Sequence, residues 1–90
     1  MEKHLNIRVY GRVQGVMYRA NAVEIANGLA LKGFAWNEKD GSVYIEVEGE
    51  EEALKKFIDW CNIGPARASV ERVTTENAPM KNYLNFVIQR

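Results

Sequence analysis

The chain has 90 residues, 47% of them hydrophobic and 27% charged, which predicts one domain over residues 1–90 and leaves no room for a second. Twelve basic and twelve acidic side chains give a formal net charge of zero, which argues against binding of nucleic acid or anionic membrane through bulk positive charge. No apolar run is long enough to span a membrane, and no signal-peptide pattern begins the chain. The one cysteine allows no internal disulfide, so we expect a soluble, cytoplasmic protein.

The first half of the chain predicts three strands and one helix. Apolar and polar residues alternate over residues 5–9, which is typical of a strand with one buried face. After a loop, apolar residues at helical spacing predict an amphipathic helix: Ala22, Ile25, Ala26 and Leu29. A second strand begins at residues 34–36, and a turn at 39–41 leads into a third strand that alternates over 43–47.

The second half predicts a helix and two strands. Three glutamates, residues 50–52, begin the helix, where negative charge complements the helix dipole. Consecutive carboxylates on a helix diverge, so we do not interpret them as a metal site. The apolar stripe of this helix consists of Ala53, Leu54, Phe57, Ile58 and Cys61, which makes the cysteine buried filler. Residues 64–65 end the helix, 70–73 indicate a strand with imperfect alternation, 77–82 a polar loop, and 86–88 a short last strand.

The order of these elements, β-α-β-β-α-β with a short extra strand, predicts an α+β fold. We expect a ferredoxin-like sandwich in which two helices pack on one face of an antiparallel sheet. Folds of this class carry many unrelated functions, so the fold by itself indicates no activity.

The loop between the first strand and the first helix has the composition of an anion site; it reads Gly11-Arg12-Val13-Gln14-Gly15-Val16-Met17-Tyr18-Arg19. At a helix N-terminus, unpaired backbone N–H groups and the positive end of the helix dipole point the same way. Gly11 and Gly15 allow a tight backbone path, and Arg19 adds a planar fork of donors that matches phosphate oxygens. This loop is followed, eighteen residues after Arg19, by Asn37.

Four segments of the chain together resemble the acylphosphatase family: residues 11–19, 32–37, 40–43 and 64–68. The likeness extends over nearly the whole chain and keeps the family's spacing from arginine to asparagine. The resemblance implies hydrolysis of the carboxyl–phosphate bond of a small acyl phosphate by attack of water at phosphorus. It also implies that no metal or organic cofactor is needed.

The same resemblance implies the roles of the site residues. Arg19 matches the phosphate-binding arginine of the family, and Asn37 matches its water-orienting asparagine. The phosphate cradle matches the backbone amides of Val13, Gln14, Gly15, Val16, Met17 and Tyr18. The expected ligand is thus a small molecule, and we expect a monomer with no nucleic-acid or membrane partner.

Several neighbouring side chains are interpreted as having no direct role in the chemistry. We expect Arg12 and Gln14 to be exposed or to brace the loop, and Met17 and Tyr18 to form core or pocket wall. The only histidine, His4, falls close to the N-terminus. We expect it to be solvated at a frayed end rather than to act as a catalytic base.

The chain departs from the family at the end of its first helix. The family usually has Leu-Gly-Leu where residues 29–31 read Leu-Ala-Leu. An alanine in the left-handed conformation that follows a helix would be strained by roughly 1 kcal/mol. Alternatively, Gly28 ends the helix earlier and Ala30 has ordinary backbone angles.

Two other functions stay open at this point. Residues 32–36 imitate the basic-Gly-aromatic-small-aromatic signature of an RNA-recognition domain, although that signature belongs on the third strand and here follows the first helix. The chain is alternatively a domain that binds a phosphate ligand without catalysis. The presence of both Arg19 and Asn37 disfavours this second alternative.

Overall fold

The seven predicted elements all form, and the computed structural model describes residues 1–90. In chain order the elements are β1 (Glu2–Arg12), α1 (Tyr18–Gly28), β2 (Lys32–Asn37), β3 (Val43–Glu50), α2 (Glu51–Ile63), β4 (Ser69–Ala78) and β5 (Phe86–Gln89). Asn77 and Ala78 continue β4, so the polar loop predicted over 77–82 begins later than expected. None of the helices is long and apolar enough to cross a membrane.

Two helices pack on a five-stranded sheet with the strand order β4-β1-β3-β2-β5. Neighbouring strands are antiparallel except β2 and β5, which are parallel. The expected antiparallel sheet is therefore wrong in detail, and the sheet is mixed. The chain leaves β4 at the end of the sheet where β2 begins, and it crosses there to the opposite edge. β5 must then run in the same direction as β2.

The main core lies between the sheet and the two helices. The alternating residues of β1 and β3 supply fully buried side chains: Ile7, Val9, Val43, Ile45 and Val47. The small side chains Ala22 and Ala26 are the buried positions at the centre of α1. From α2 the core receives Leu54, Phe57 and Cys61, so the prediction that the cysteine is buried filler is confirmed.

A bulge in β4 explains the imperfect alternation of that strand. Tyr10 pairs with Arg72, but the next residue, Gly11, pairs with Val70, so Glu71 is left as an extra residue. Gly11 has a φ of 127°, and a Cβ there would overlap the carbonyl oxygen of Ser69. The bulge therefore requires glycine at the start of the loop motif, residues 11–19.

The end of α1 has the hydrogen bonds of a Schellman motif. The N–H of Leu31 donates to the carbonyl of Ala26 at 2.9 Å, and the N–H of Ala30 donates to that of Asn27 at 3.1 Å. Ala30 has a φ of 58°, so it occupies the left-handed position that glycine prefers. The strained alanine is confirmed. The alternative in which Gly28 caps the helix and Ala30 has ordinary backbone angles is wrong, because Gly28 is the last helical residue and the left-handed position belongs to Ala30.

The expectation that His4 is solvated is also wrong. The side chain is buried, with Nδ1 2.7 Å from Glu48 Oε2 and Nε2 2.9 Å from Asn6 Oδ1. The beginning of the chain is not frayed, because β1 starts at Glu2 and pairs with β3 from that residue on. The ring of Tyr83, in the connection from β4 to β5, lies 6.0 Å from the histidine ring and helps to bury it.

Candidate active site

The loop after β1 carries backbone strain where it enters α1. Met17, the residue before the helix, has a left-handed backbone (φ 67°, ψ 21°), and Gly15 has a φ of 74°. A left-handed methionine costs about 1–2 kcal/mol, and such strain is concentrated at functional sites. Its side chain is 67% exposed, so burial of the methionine does not compensate for this strain.

The N-terminus of α1 is open toward this loop. It has no side-chain cap and no acidic residue in its first turn, whereas Glu51 and Glu52 occupy the first turn of α2. The first N–H groups of α1 are therefore free of competing acceptors from a cap or an acid. An anion at this position would bind both these N–H groups and the positive end of the helix dipole.

A cavity of about 280 Å³ lies at this helix end. Its walls are Val13, Gly15, Met17, Tyr18, Arg19, Ala20, Asn37, Ile88 and Arg90. The structure thus brings together Arg19 and Asn37, which come from different elements. No aspartate or glutamate is among the walls, so the charged side chains that line the cavity are all positive, in a chain whose formal net charge is zero.

Arg19 is the second residue of α1, and its side chain is half-buried. It forms no salt bridge with any aspartate or glutamate of the chain. A guanidinium that faces a cavity without an acidic partner keeps its planar set of donors available for an anion.

Asn37 is the last residue of β2. Its Oδ1 is the one buried side-chain oxygen or nitrogen of the chain that has no hydrogen-bond partner. An unsatisfied buried acceptor costs about 1–3 kcal/mol, so native proteins rarely keep one without a reason. Because Asn37 lines the cavity, this oxygen is suited to accept a hydrogen bond from a water molecule or a ligand.

Gln14 and Val16 of the predicted cradle do not line the cavity with their side chains. Val16 is buried in the core. Gln14 Nε2 donates to the carbonyl of Glu38 at 2.7 Å and to that of Ser42 at 2.9 Å. Gln14 therefore ties the loop to the β2–β3 hairpin just after Asn37, which is the bracing role predicted for it.

A second set of contacts holds this hairpin. Arg8 Nη1 donates to Glu38 Oε2 at 2.6 Å, and Trp36 Nε1 donates to Glu38 Oε1 at 2.8 Å. The hydrogen bond from Arg8 has the larger effect and the one from Trp36 the smaller, and together they hold the pKa of Glu38 below its ordinary value. The two residues that flank Asn37 in the chain are thus bonded to each other, which restrains the asparagine between them.

Tyr18 forms the inner wall of the cavity. The ring is buried, and its OH donates to the carbonyl of Cys61 at 2.8 Å. Burial first, and after it the neighbouring side chain of Cys61, raise the pKa of Tyr18 far above its ordinary range, so the phenol stays neutral. Tyr18 thus joins the start of α1 to α2, in agreement with its predicted structural role.

The model of the family described as Acylphosphatase matches residues 5–88 of the chain. The chain belongs to the acylphosphatase family. It is 43% identical over 88 residues to the acylphosphatase of Legionella pneumophila strain Paris, covering 96% of this chain and 97% of that protein. It is also 41% identical over 87 residues to the acylphosphatase of Thermotoga maritima, with 97% of each chain covered. The crystal structure of acylphosphatase from Bacillus subtilis superimposes with a TM-score of 0.95 at 31% identity, covering 100% of both chains.

Membership of the acylphosphatase family confirms the resemblance found in the sequence and the predicted class of function, a hydrolase acting on acid anhydrides. Three walls of the cavity were not predicted: Ala20, Ile88 and Arg90. Ala20 directly follows Arg19 and could have been included on that ground. Ile88 and Arg90 carry no such signal, because they reach the cavity only through the parallel pairing of β5 with β2.

Proposed function

We propose that this cavity binds the phosphoryl group of a small acyl phosphate and hydrolyses its carboxyl–phosphate bond without a cofactor. The observation that carries the proposal is the orphan acceptor of Asn37 beside the unpaired guanidinium of Arg19 in a cavity without acidic side chains. Phosphoryl transfer needs positioning and charge stabilisation more than it needs covalent chemistry, and this set of groups supplies both.

In this proposal, the phosphoryl oxygens are held by backbone N–H groups and one side chain. The amides of residues 13–18 form the cradle, and the Arg19 guanidinium donates to two of the oxygens. The proposal is supported by the open N-terminus of α1 and by the left-handed backbone of Gly15 and Met17, which is typical of anion-binding loops.

Asn37 orients the attacking water in this mechanism. Its amide cannot take a proton at neutral pH, but Oδ1 can accept a hydrogen bond and fix the direction of the water. The water oxygen forms a bond to phosphorus while the bond from phosphorus to the acyl oxygen breaks. The carboxylate leaves with the bonding electron pair, and the water protons end on oxygens of the released phosphate.

The leaving group explains why such a site suffices. A carboxylate departs as a stable anion, so no general acid has to protonate it. An alkoxide from an ordinary phosphate ester would need such an acid or a metal ion. We therefore propose selectivity for acyl phosphates over phosphate monoesters.

We further propose that residues 1–90 form one ferredoxin-like domain, a monomer that works in the cytoplasm without a nucleic-acid partner. The strand order β4-β1-β3-β2, extended by β5, supports the topology, and the family match over residues 5–88 supports a single domain. The zero net charge supports the absence of a nucleic-acid partner. The RNA-like signature of residues 32–36 lies on β2, whereas in RNA-recognition domains it belongs on the third strand.

Release of inorganic phosphate from benzoyl phosphate tests the proposed function. We expect turnover that is unchanged by a chelator, and little or no release from an alkyl phosphate ester under the same conditions. Absence of turnover together with tight phosphate binding would instead support the non-catalytic alternative. Inhibition by the chelator, or equal turnover of the ester, would contradict the proposed mechanism.

A further inference from the structure

The pairing of β5 with β2 brings a second arginine to the cavity. In the parallel register Trp36 pairs with Gln89, and the next residues along the two strands are Asn37 and Arg90. Side chains alternate between the faces of a sheet, so Arg90 follows β5 on the same face as Asn37. Arg90 accordingly lines the same cavity as Arg19 and Asn37.

Arg19 and Arg90 are the charged side chains of the cavity, and no aspartate or glutamate is among its walls. Neither forms a salt bridge with an aspartate or glutamate, although the chain has as many acidic as basic residues. Two cations that share a cavity of about 280 Å³ repel each other unless an anion lies between them. This arrangement is complementary to a ligand group with about two negative charges, such as a phosphoryl group at neutral pH.

The position of Arg90 next to Asn37 indicates which part of the substrate it contacts. In an in-line displacement the attacking water and the leaving carboxylate lie on opposite sides of phosphorus. Arg90 is beside the residue that orients the water, and it therefore lies on the side away from the acyl group. A guanidinium on that side faces the non-bridging phosphoryl oxygens rather than the acyl group.

We propose that Arg90 is a second guanidinium ligand of the phosphoryl group and acts together with Arg19. The inference rests on the proposed function, and it adds a residue that contacts the substrate. Charge on the non-bridging oxygens is bound in the ground state and in the transition state alike. Arg90 therefore contributes to phosphate affinity whatever acyl group the substrate carries.

Binding of inorganic phosphate, measured by calorimetry at fixed low ionic strength, tests this inference without relying on turnover. We expect Arg90→Gln to weaken phosphate binding by about tenfold, as for loss of one charge-assisted hydrogen bond at a partly exposed site. Arg90→Lys keeps the charge but loses the planar fork, so its phosphate affinity should lie between those of the parent protein and Arg90→Gln. The matched control is Arg72→Gln. Arg72 is on β4, at the other edge of the sheet, and its guanidinium lies over the ring of Tyr10. The control should bind phosphate like the parent protein.

Turnover of two substrates with different acyl groups gives the second readout. We expect Arg90→Gln to lower kcat/KM by the same factor for acetyl phosphate and for succinyl phosphate, whose acyl group carries an extra carboxylate. Parental phosphate affinity in Arg90→Gln would overturn the inference, and so would a loss confined to succinyl phosphate, since Arg90 would then recognise the acyl group. If the parent hydrolyses no acyl phosphate but Arg90→Gln still weakens phosphate binding, the proposed function fails and the inference stands.

Discussion

At the scale of single residues, Arg19 and Asn37 differ in what they cost the folded protein. Arg19 has a half-buried side chain, and water can solvate its guanidinium when no ligand is bound. Asn37 instead has a buried oxygen without a partner, and this lowers the stability of the folded chain. The folded chain is thus less stable than it would be with this oxygen paired, which is the usual compromise at an active site.

We predict that the two residues can be separated by mutation. Arg19→Ala should weaken phosphate binding by about 1.5–3 kcal/mol and lower turnover as well. In the proposed mechanism the guanidinium binds the phosphoryl group in the ground state and in the transition state alike. Asn37→Ala should leave phosphate affinity nearly unchanged and raise the barrier for turnover by about 2–4 kcal/mol, the loss of one preorganised polar contact. Phosphate binding and steady-state kinetics of both variants check this expectation.

A matched control for Asn37→Ala is Asn62→Ala on the exposed face of α2. Asn62 donates only to the carbonyl of Ile58 one turn earlier, far from any substrate group. This control should keep the parental kcat. Parental turnover in Asn37→Ala would remove the water-orienting role from the mechanism.

At the scale of the element, the end of α1 has glycine at a helical position that favours alanine, and alanine at a left-handed position that favours glycine. Gly28 lies in the last helical turn, where glycine is unfavourable, and nothing occupies the space in which a Cβ would lie. Ala30 has the left-handed backbone that glycine adopts without a steric clash. The hydrogen bonds of Ala30 and Leu31 therefore form at this helix end despite the local preferences of both residues.

We predict that each single exchange at this helix end stabilises the protein. Ala30→Gly relieves the left-handed alanine, and Gly28→Ala reduces the entropy of the unfolded chain; each should add about 0.5–1 kcal/mol to the free energy of unfolding. The melting temperature should rise by about 2–8 °C in each variant. Thermal and urea unfolding measure both effects, and an unchanged or lower midpoint for Ala30→Gly would contradict the strain account.

The same variants test whether the helix end affects the site. Leu31 leads directly into β2, whose last residue is Asn37. If Ala30→Gly is more stable and has an unchanged kcat, the strain concerns folding alone. A changed kcat in that variant would connect the helix end to the placement of Asn37.

At the scale of the whole molecule, two buried glutamates hold the connection from β4 to β5 against the face of the sheet opposite the helices. Glu48 accepts the N–H groups of Lys81 and Tyr83, and Glu46 accepts the OH of Tyr83 at 2.7 Å. This connection carries the chain to β5, and β5 brings Ile88 to the cavity. Carboxylates on one face of the sheet thus support a wall of the site on the other.

We predict that acid loosens this connection. Burial alone raises the pKa of Glu48, but the hydrogen bonds from the Lys81 N–H, from His4 and from the Tyr83 N–H outweigh it and lower the pKa below 4.5. A carboxyl whose pKa is lower in the folded state contributes stability above its unfolded pKa, and this contribution is lost as the pH falls through the folded value. The free energy of unfolding should therefore decrease below about pH 4.5.

Urea unfolding between pH 3 and pH 7 checks this dependence, with Glu48→Gln as the test variant. An amide cannot accept all of these hydrogen bonds, so Glu48→Gln should be less stable at pH 7 by about 1–3 kcal/mol and should lose part of the decrease in acid. The control is Glu52→Gln on the exposed surface of α2, which should follow the parent. Identical pH profiles of the two variants would contradict a role for Glu48.

Local patterns in the sequence determined the seven elements, the buried cysteine, and the loop and the pair Arg19 and Asn37 that line the cavity. These features depend on the periodicity of one buried face or on a contiguous motif, and both are short-range properties of the chain. Only the tertiary structure decided that β5 pairs parallel to β2, that Arg90 lines the cavity and that His4 is buried. Which strands become neighbours depends on where the chain crosses the sheet, and the burial of His4 depends on Glu48, a partner distant in sequence. Neither condition leaves a periodic signal in the sequence.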